Sequence, residues 1–153
     1  MPNEPLKRHE ALKNLSREHH DGLIFALRLQ KGVAKRARLE EMENYAIWFW
    51  KQHLLPHFKM EELQLFPMLK EDYELVKTAR QQHRDLESLF NTQPKTYKDF
   101  KAIYELLQLH IRLEERELFN WIQEELNSEE LAKFQAIHDS QSTCEVWPHP
   151  FWK

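Results

Sequence analysis

Residues 57–66 read HFKMEELQLF and residues 110–119 read HIRLEERELF, so the pattern His-x-x-x-Glu-Glu-x-x-Leu-Phe occurs twice in this chain. Each copy carries an imidazole and a carboxylate four residues apart, a spacing that places both on one face of a helix. A further histidine precedes each copy, His20 before the first and His83 before the second. The sequence therefore predicts two matched sets of helical side chains suited to a pair of bridged metal ions.

The composition is that of an ordinary globular chain, with 41% hydrophobic and 31% charged residues in a length of 153. This length predicts a single domain over residues 1–153, large enough to bury a core without disulfides. Only two glycines are present, which leaves little material for the tight turns of a β fold. The composition therefore favours an all-α structure.

Charge and cysteine content limit the partners and the compartment. The net charge is −3 and the charges are interspersed, so no nucleic-acid partner is expected. No apolar stretch approaches the length of a membrane span and no secretory segment is recognised, so no membrane partner is expected. The one cysteine, Cys144, cannot form an intrachain disulfide. A cytoplasmic location is the resulting expectation.

Apolar residues spaced three and four apart predict four long helices and a shorter fifth. The first covers about Leu6 to Gln30, with Gly32 as a C-terminal stop, and the second covers about Ala37 to Phe66. The remaining three are predicted over about 72–90, 96–126 and 127–138. The fourth begins with Thr96 and Asp99, and the fifth with the capping-box pair Asn127 and Glu130.

Four long amphipathic helices with short connections predict an antiparallel up-down-up-down bundle over about residues 6–126. Residues 127–153 would add the short fifth helix and an aromatic tail, whose residues 147–152 read WPHPFW. We expect the tail to pack as an apolar flap over the bundle; a lid or an oligomer contact are the alternatives. The oligomeric state is not predicted. His138 and His149 are expected to face solvent or to belong to the tail.

The predicted metal ligands lie on the inward stripes of the four helices: His20, His57, Glu61, His83, His110 and Glu114. An ionised glutamate on an apolar stripe costs several kcal/mol unless it has a partner. The alternative, in which each histidine only pairs with the glutamate of its own helix, leaves His20 and His83 without a role. Nitrogen and carboxylate donors without thiolates suit iron, manganese or zinc. No histidine has a glutamate three residues earlier, so the ferritin-like di-iron pattern is absent.

The ordered segments EHHDGL, HFKMEELQLFP, QHRDL and HIRLEERELF together resemble the hemerythrin-like, HHE cation-binding domain over roughly residues 9–125. The resemblance implies a four-helix bundle holding two non-haem irons, bridged by two carboxylates and an oxo or hydroxo group. It implies that His20, His57, His83 and His110 are terminal ligands. It also implies that Glu61 and Glu114 are the bridges. Dioxygen would bind at an open site.

Two ligand positions have a rival in the neighbouring residue. His19 competes with His20, which we favour because Leu23 and Leu27 share its face. Glu115 competes with Glu114, which we favour because Leu107 and Leu118 share its stripe with His110. The choice of Glu115 would match the longer spacing of the oxygen-carrying members of the family.

The chain also departs from the oxygen-carrier pattern, because Ala79 stands where those proteins have a further histidine. Losing that imidazole should leave a coordination position open. His53 is one turn before His57 and could supply a replacement ligand, but we expect it instead to support the site or to lie at its rim.

We therefore expect a di-iron protein that binds dioxygen, nitric oxide or peroxide for sensing, scavenging or iron and oxygen handling. Zinc or manganese are the alternative metals, and a binding protein is favoured over a dedicated enzyme. The alternative functions are a di-iron peroxidase, ferroxidase or nitrosative-damage repair enzyme, and a structural bundle with a zinc-filled or vestigial site.

Overall fold

The computed structural model describes residues 7–69, 73–139 and 147–153, and within these ranges the chain is helical and has no strand. The predicted starts at Leu6 and Asp72, and Cys144, lie outside the described residues. Within the described part, no helix is long and apolar enough to cross a membrane.

The first two long helices end later than the apolar spacing predicts. A 3₁₀ turn at Glu10–Leu12 leads into α1, Lys13–Ala34. The chain then reverses through Arg36, whose φ of 54° lies in the left-handed region. Gly32 therefore lies inside α1, which continues to Ala34. The prediction of Gly32 as the C-terminal stop is wrong.

The second long helix runs without a break over residues 39–68. It consists of α2 (Leu39–Phe49), a π-helical segment (Trp50–Leu54), α3 (Leu55–Met60), a second π-helical segment (Glu61–Leu65) and a 3₁₀ turn (Phe66–Met68). The first π segment leads into Pro56, whose ring would clash with a carbonyl of a regular helix. The wider turn accommodates the proline.

The remaining helices are α4 (Glu74–Asn91), α5 (Tyr97–Leu113), α6 (Phe119–Glu125) and α7 (Ser128–Asp139). A π-helical segment at Glu114–Leu118 joins α5 to α6, so residues 97–125 form the fourth long helix. A capping box between Thr96 and Asp99 begins it, as predicted. The fifth helix also begins as predicted, because Asn127 Oδ1 accepts from the Glu130 N–H at 2.8 Å.

The duplicated pattern is repeated in the backbone. A π-helical segment begins at Glu61 and another at Glu114, so the Phe66 N–H bonds to the Glu61 carbonyl and the Phe119 N–H to the Glu114 carbonyl. Each π turn accommodates one extra residue and rotates the residues that follow. As a result, both the leucine and the phenylalanine that end each copy of the pattern are fully buried.

Two apolar clusters fill the interior. The first cluster includes Phe25, Leu29, Tyr45, Leu86 and Ile103. The second cluster includes Leu15, Leu65, Val76, Leu118 and Phe134. In every long helix the predicted metal-binding residues lie where one cluster gives way to the other along the chain. Apolar packing therefore encloses the polar site on both sides.

The aromatic tail packs against α1 and α2, as expected for a flap. Tyr45 has its ring centroid 5.3 Å from that of Phe151 and 5.1 Å from that of Trp152. A Cβ atom on Gly32 would lie 2.7 Å from Phe151 Cε1. Gly32 therefore allows the tail to approach α1 closely.

Candidate metal centre

Six buried side chains meet between the two apolar clusters: His19, His57, Glu61, His83, His110 and Glu114. The side chains of Glu61, His110 and Glu114 are completely inaccessible to solvent. All four long helices contribute to the cluster. Five of the six predicted ligands are brought together, and whether they bind metal stays a prediction.

The cluster consists of two four-residue groups that share their carboxylates. His19, His57, Glu61 and Glu114 offer ligand atoms that lie within 4.8 Å of one another. His83 and His110 form an equivalent group with the same two glutamates, also within 4.8 Å. Each glutamate therefore faces both groups, which is the arrangement that two bridging carboxylates require.

The histidines direct their Nε2 atoms into the centre. The Nε2 atoms of His19 and His57 are 3.1 Å apart, and those of His83 and His110 are 3.2 Å apart. Glu114 Oε1 lies 2.7 Å from His19 Nε2 and 3.3 Å from His110 Nε2. The carboxylate of Glu114 thus contacts both halves of the site.

Three carboxylate oxygens of the cluster are buried without a hydrogen bond: both oxygens of Glu61 and Oε2 of Glu114. His83 Nε2 approaches Glu61 Oε1 to 3.1 Å without the alignment of a hydrogen bond. A buried carboxylate oxygen without a partner is costly. Metal ions would satisfy these oxygens, and nitrogen with carboxylate donors suits iron, so the residues fit the cofactor that the sequence predicts.

Each histidine is held from behind by one outer partner, and the four outer partners are Glu18, Glu62, Gln82 and Glu115. His57 Nδ1 bonds to Glu18 Oε1 at 2.7 Å, and His83 Nδ1 bonds to Glu62 Oε2 at 2.6 Å. His19 and His110 are held in the same way by Glu115 and Gln82, each at 2.7 Å. A hydrogen bond at Nδ1 fixes the tautomer that leaves Nε2 free to bind metal.

These hydrogen bonds form a closed ring around the bundle. The outer partner on the first long helix holds the histidine of the second, and the second helix holds the third in the same way. The third helix then holds the fourth, and Glu115 of the fourth returns to His19 of the first. Every long helix therefore both supplies a residue to the cluster and orients a cluster histidine of a neighbouring helix.

The placement of His20 at the site is wrong. His20 is exposed and His19 is buried, with its Nε2 atom against Glu114. Leu23 and Leu27, which supported the choice of His20, are 39% and 48% exposed. The buried face of α1 instead contains Leu15, His19, Gly22, Ala26 and Leu29.

Both Glu114 and Glu115 take part in the site, Glu114 as a member of the cluster and Glu115 as the outer partner of His19. Glu114 faces the interior with His110, as predicted. Glu115 points outward, where it accepts hydrogen bonds from His19 and from the hydroxyl of Ser16, the latter at 2.8 Å to Oε2. Ala79 is fully buried in the second apolar cluster, so this position contributes a methyl group and no donor atom.

Electrostatics in the metal-free site favour protonated histidines beside ionised glutamates. Burial opposes protonation of His83, but the hydrogen bond to Glu62 and the close approach of the Glu61 carboxylate raise its pKa to about 9. Burial likewise opposes protonation of His57, yet Glu61 and its other carboxylate neighbours raise its pKa well above the ordinary value. The surrounding histidines keep the pKa of Glu114 well below its ordinary value despite its burial. Metal ions would have to displace these protons.

His110 differs from the other three histidines. Burial lowers its pKa, and its outer partner is a neutral amide rather than a carboxylate. His110 therefore has the weakest support for a positive charge in the cluster.

A small cavity of about 10 Å³ adjoins the site and is lined by three of its histidines, His19, His57 and His110. His19 and His57 lie at its polar side, and Gly22, Phe58 and Leu107 are among the groups that enclose it. This volume is close to that of one water molecule by the same measure. His53 lines it too and stacks on Phe49 with a centroid separation of 4.8 Å, a position at the rim as expected.

The functional candidates that the sequence did not indicate are His138 and three of the outer partners, Glu18, Glu62 and Gln82; Glu115 was considered only as a rival metal ligand. Each outer partner is the chain neighbour of a cluster residue, as in the pairs Glu18-His19 and Glu61-Glu62. One such polar doublet in each long helix was the available signal. His138 was expected to face solvent or the tail but is buried, with its Nε2 atom 2.9 Å from Glu18 Oε2.

The described residues are helical and bury a cluster of four histidines and two glutamates. This combination is typical of helical cation-binding proteins. The sequence model described as the hemerythrin HHE cation binding domain matches residues 10–122. The chain therefore belongs to the hemerythrin HHE cation-binding family. Comparisons with curated proteins and with solved structures gave no significant match.

Proposed function

We propose that this chain is a non-haem di-iron protein that binds dioxygen or a related small ligand such as nitric oxide or peroxide. The observation that carries the proposal is the pair of four-residue groups that share Glu61 and Glu114. Two ferrous ions would supply one electron each to a small oxidant. We infer that Glu61 and Glu114, which both groups share, would hold both ions and that His19, His57, His83 and His110 would complete the protein ligands.

The cavity beside His19, His57 and His110 supports a binding position for the small ligand next to these three histidines. Its apolar walls, which include Leu54, Phe58 and Ile111, would exclude bulk water. A Cβ atom on Gly22 would lie 3.0 Å from Ile111 Cδ1, so α1 and α5 approach closely at this point. We propose that the cavity, rather than space beside Ala79, receives the ligand.

We also infer the antiparallel up-down-up-down order of the four long helices. The first helix runs from Leu15 in the second apolar cluster to Leu29 in the first cluster. The second helix runs the opposite way, from Met42 to Leu65. The third and fourth helices repeat this alternation, which supports the proposed order.

Metal analysis after anaerobic loading with Fe(II) tests the proposed function. We expect close to two irons per chain and a change in visible absorption when oxygen or nitric oxide is added. Binding of zinc in preference to iron, with no spectral response to either gas, would contradict the proposal. Sustained turnover of peroxide or Fe(II) would instead favour the enzyme alternative. The cytoplasmic location stays a prediction from the cysteine content.

A further inference from the structure

The C-terminal helix α7 reaches the metal centre through a chain of three side chains. His138 Nε2 lies 2.9 Å from Glu18 Oε2, and the other oxygen of Glu18 lies 2.7 Å from His57 Nδ1. His57 Nε2 then faces Glu61 Oε2 at 3.5 Å. A residue at the end of α7 is thus connected to a predicted metal ligand through one carboxylate.

The two hydrogen bonds from His138 and His57 fix the orientation of Glu18. The side chain of Glu18 is 39% exposed. A hydrogen bond from His57 alone would leave Oε2 of Glu18 free to turn toward water. His138 occupies that oxygen instead, and the histidine is itself buried, at 6% exposure. Glu18 is therefore an acceptor with both oxygens in use.

Apolar packing holds His138 in place. Leu131 and Phe134 of α7 are buried in the second apolar cluster, and the ring of Phe134 lies 5.7 Å from that of His138. The position of α7 and the direction of the hydrogen bond to Glu18 are therefore set together. In the other half of the site, the residue that corresponds to Glu18 is the neutral amide Gln82.

We propose that His138 is a positioning residue through which α7 orients His57 and strengthens metal binding in the His19 and His57 half of the site. This inference rests on the proposed metal site. Because coupling between two equilibria is reciprocal, metal binding must in turn stabilise the docking of α7. The two metal positions are consequently unequal, and the C-terminal helix controls one of them.

Anaerobic titration with Co(II), followed by its visible absorption, tests the proposal in the full chain. Loss of an outer hydrogen-bond partner costs about 10- to 100-fold in metal affinity, and His138 acts one bond further out. We therefore expect His138→Ala to weaken one of two Co(II) equivalents by about 10-fold and to leave the other unchanged. His138→Gln, whose amide N–H can still donate to Glu18, should restore most of the affinity.

Ile103→Ala provides the control for general destabilisation, since Ile103 is buried in the first apolar cluster. It should lower the melting temperature without changing the ratio of the two Co(II) affinities. Hydrogen exchange supplies a second measurement. Amides of α7 should become more protected when Co(II) is added to the wild-type protein and should gain less protection in His138→Ala.

Equal Co(II) affinities in His138→Ala and wild type would overturn the inference, as would a His138→Gln variant as weak as His138→Ala. Unchanged protection of α7 in the wild-type protein on loading would overturn it without any variant. Failure of the wild-type protein to bind two Co(II) ions is a different result, because it would remove the proposed metal site itself.

Discussion

Gln82 holds His110 through a neutral amide, with its Oε1 atom 2.7 Å from His110 Nδ1. The other three cluster histidines are held by carboxylates, at Glu18, Glu62 and Glu115. A carboxylate behind an imidazole raises its basicity and its strength as a metal ligand. The amide would therefore make His110 the weakest metal ligand of the four histidines.

Gln82→Glu should strengthen metal binding at the His83 and His110 half of the site. We expect a gain of about 10-fold in affinity, measured by competition with a chelator of known affinity. Gln81→Glu is the matched control because it adds the same charge at the exposed neighbouring position. Equal effects of the two substitutions would mean that net charge, rather than the hydrogen bond to His110, determines the affinity.

Substitution of His19 should abolish binding in one half of the site, and substitution of its neighbour should not. His19→Ala removes a buried ligand between Glu114 and Glu115, so the bound metal should fall from about two ions per chain to one or fewer. His20→Ala changes an exposed side chain and should retain full loading. Metal analysis of both variants after identical loading provides the measurement. Loss of metal in His20→Ala alone would restore the sequence-based assignment.

Glu61→Gln should eliminate one bridge between the two metal positions. Both oxygens of Glu61 are buried without hydrogen bonds, and an amide cannot replace a charged bridging ligand. We expect less than one tightly bound metal per chain, as measured by equilibrium dialysis. Glu117→Gln alters an exposed glutamate of the same π-helical segment as Glu114 and should leave binding unchanged. Two tightly bound metals in Glu61→Gln would contradict a bridging role.

The stability of the metal-free protein should fall as the pH rises from 6.5 to 9. His83 has its pKa raised to about 9 in the folded chain, compared with about 6.5 when unfolded. Its contribution is therefore fully present below pH 6.5 and is lost as the pH rises through 9, at a cost of about 2 to 3 kcal/mol. Urea unfolding at several pH values measures this.

Metal-loaded protein provides the comparison for the pH experiment, because ions replace the protons of the cluster. Its stability should change less over the same range and should decline in acid, where protons compete with the metal. A metal-free protein whose unfolding free energy is constant from pH 6.5 to 9 would contradict the assignment of a charged His83.

The helices could be predicted from the sequence because their apolar spacing is strong, and the capping pairs at Thr96 and Asn127 marked two starts correctly. The face of α1 could not be assigned with the same success. Leu23 and Leu27 made the stripe that includes His20 the more hydrophobic one in the sequence. The stripe that is buried in the fold instead contains Gly22 and Ala26. These small residues are inward because α5 approaches closely there, a tertiary contact that hydrophobicity does not encode.

The π-helical segments and the role of His138 also required the structure. A π turn follows from the requirement to bury Leu65 together with Phe66 beyond Glu61, and local propensity carries little information about it. His138 has no distinctive neighbours in the sequence. Its burial depends on where α7 docks against α1, which only the packed fold determines.

The ring of outer hydrogen bonds has a consequence for the order of assembly. No two adjacent helices contain a complete set of ligands and supports, since the ring closes only when Glu115 meets His19. A partly assembled chain therefore presents incompletely oriented imidazoles, and strong chelation must await the last helix to arrive. Tight binding of ions by such a centre would therefore be a late step in folding, after all four long helices have packed together.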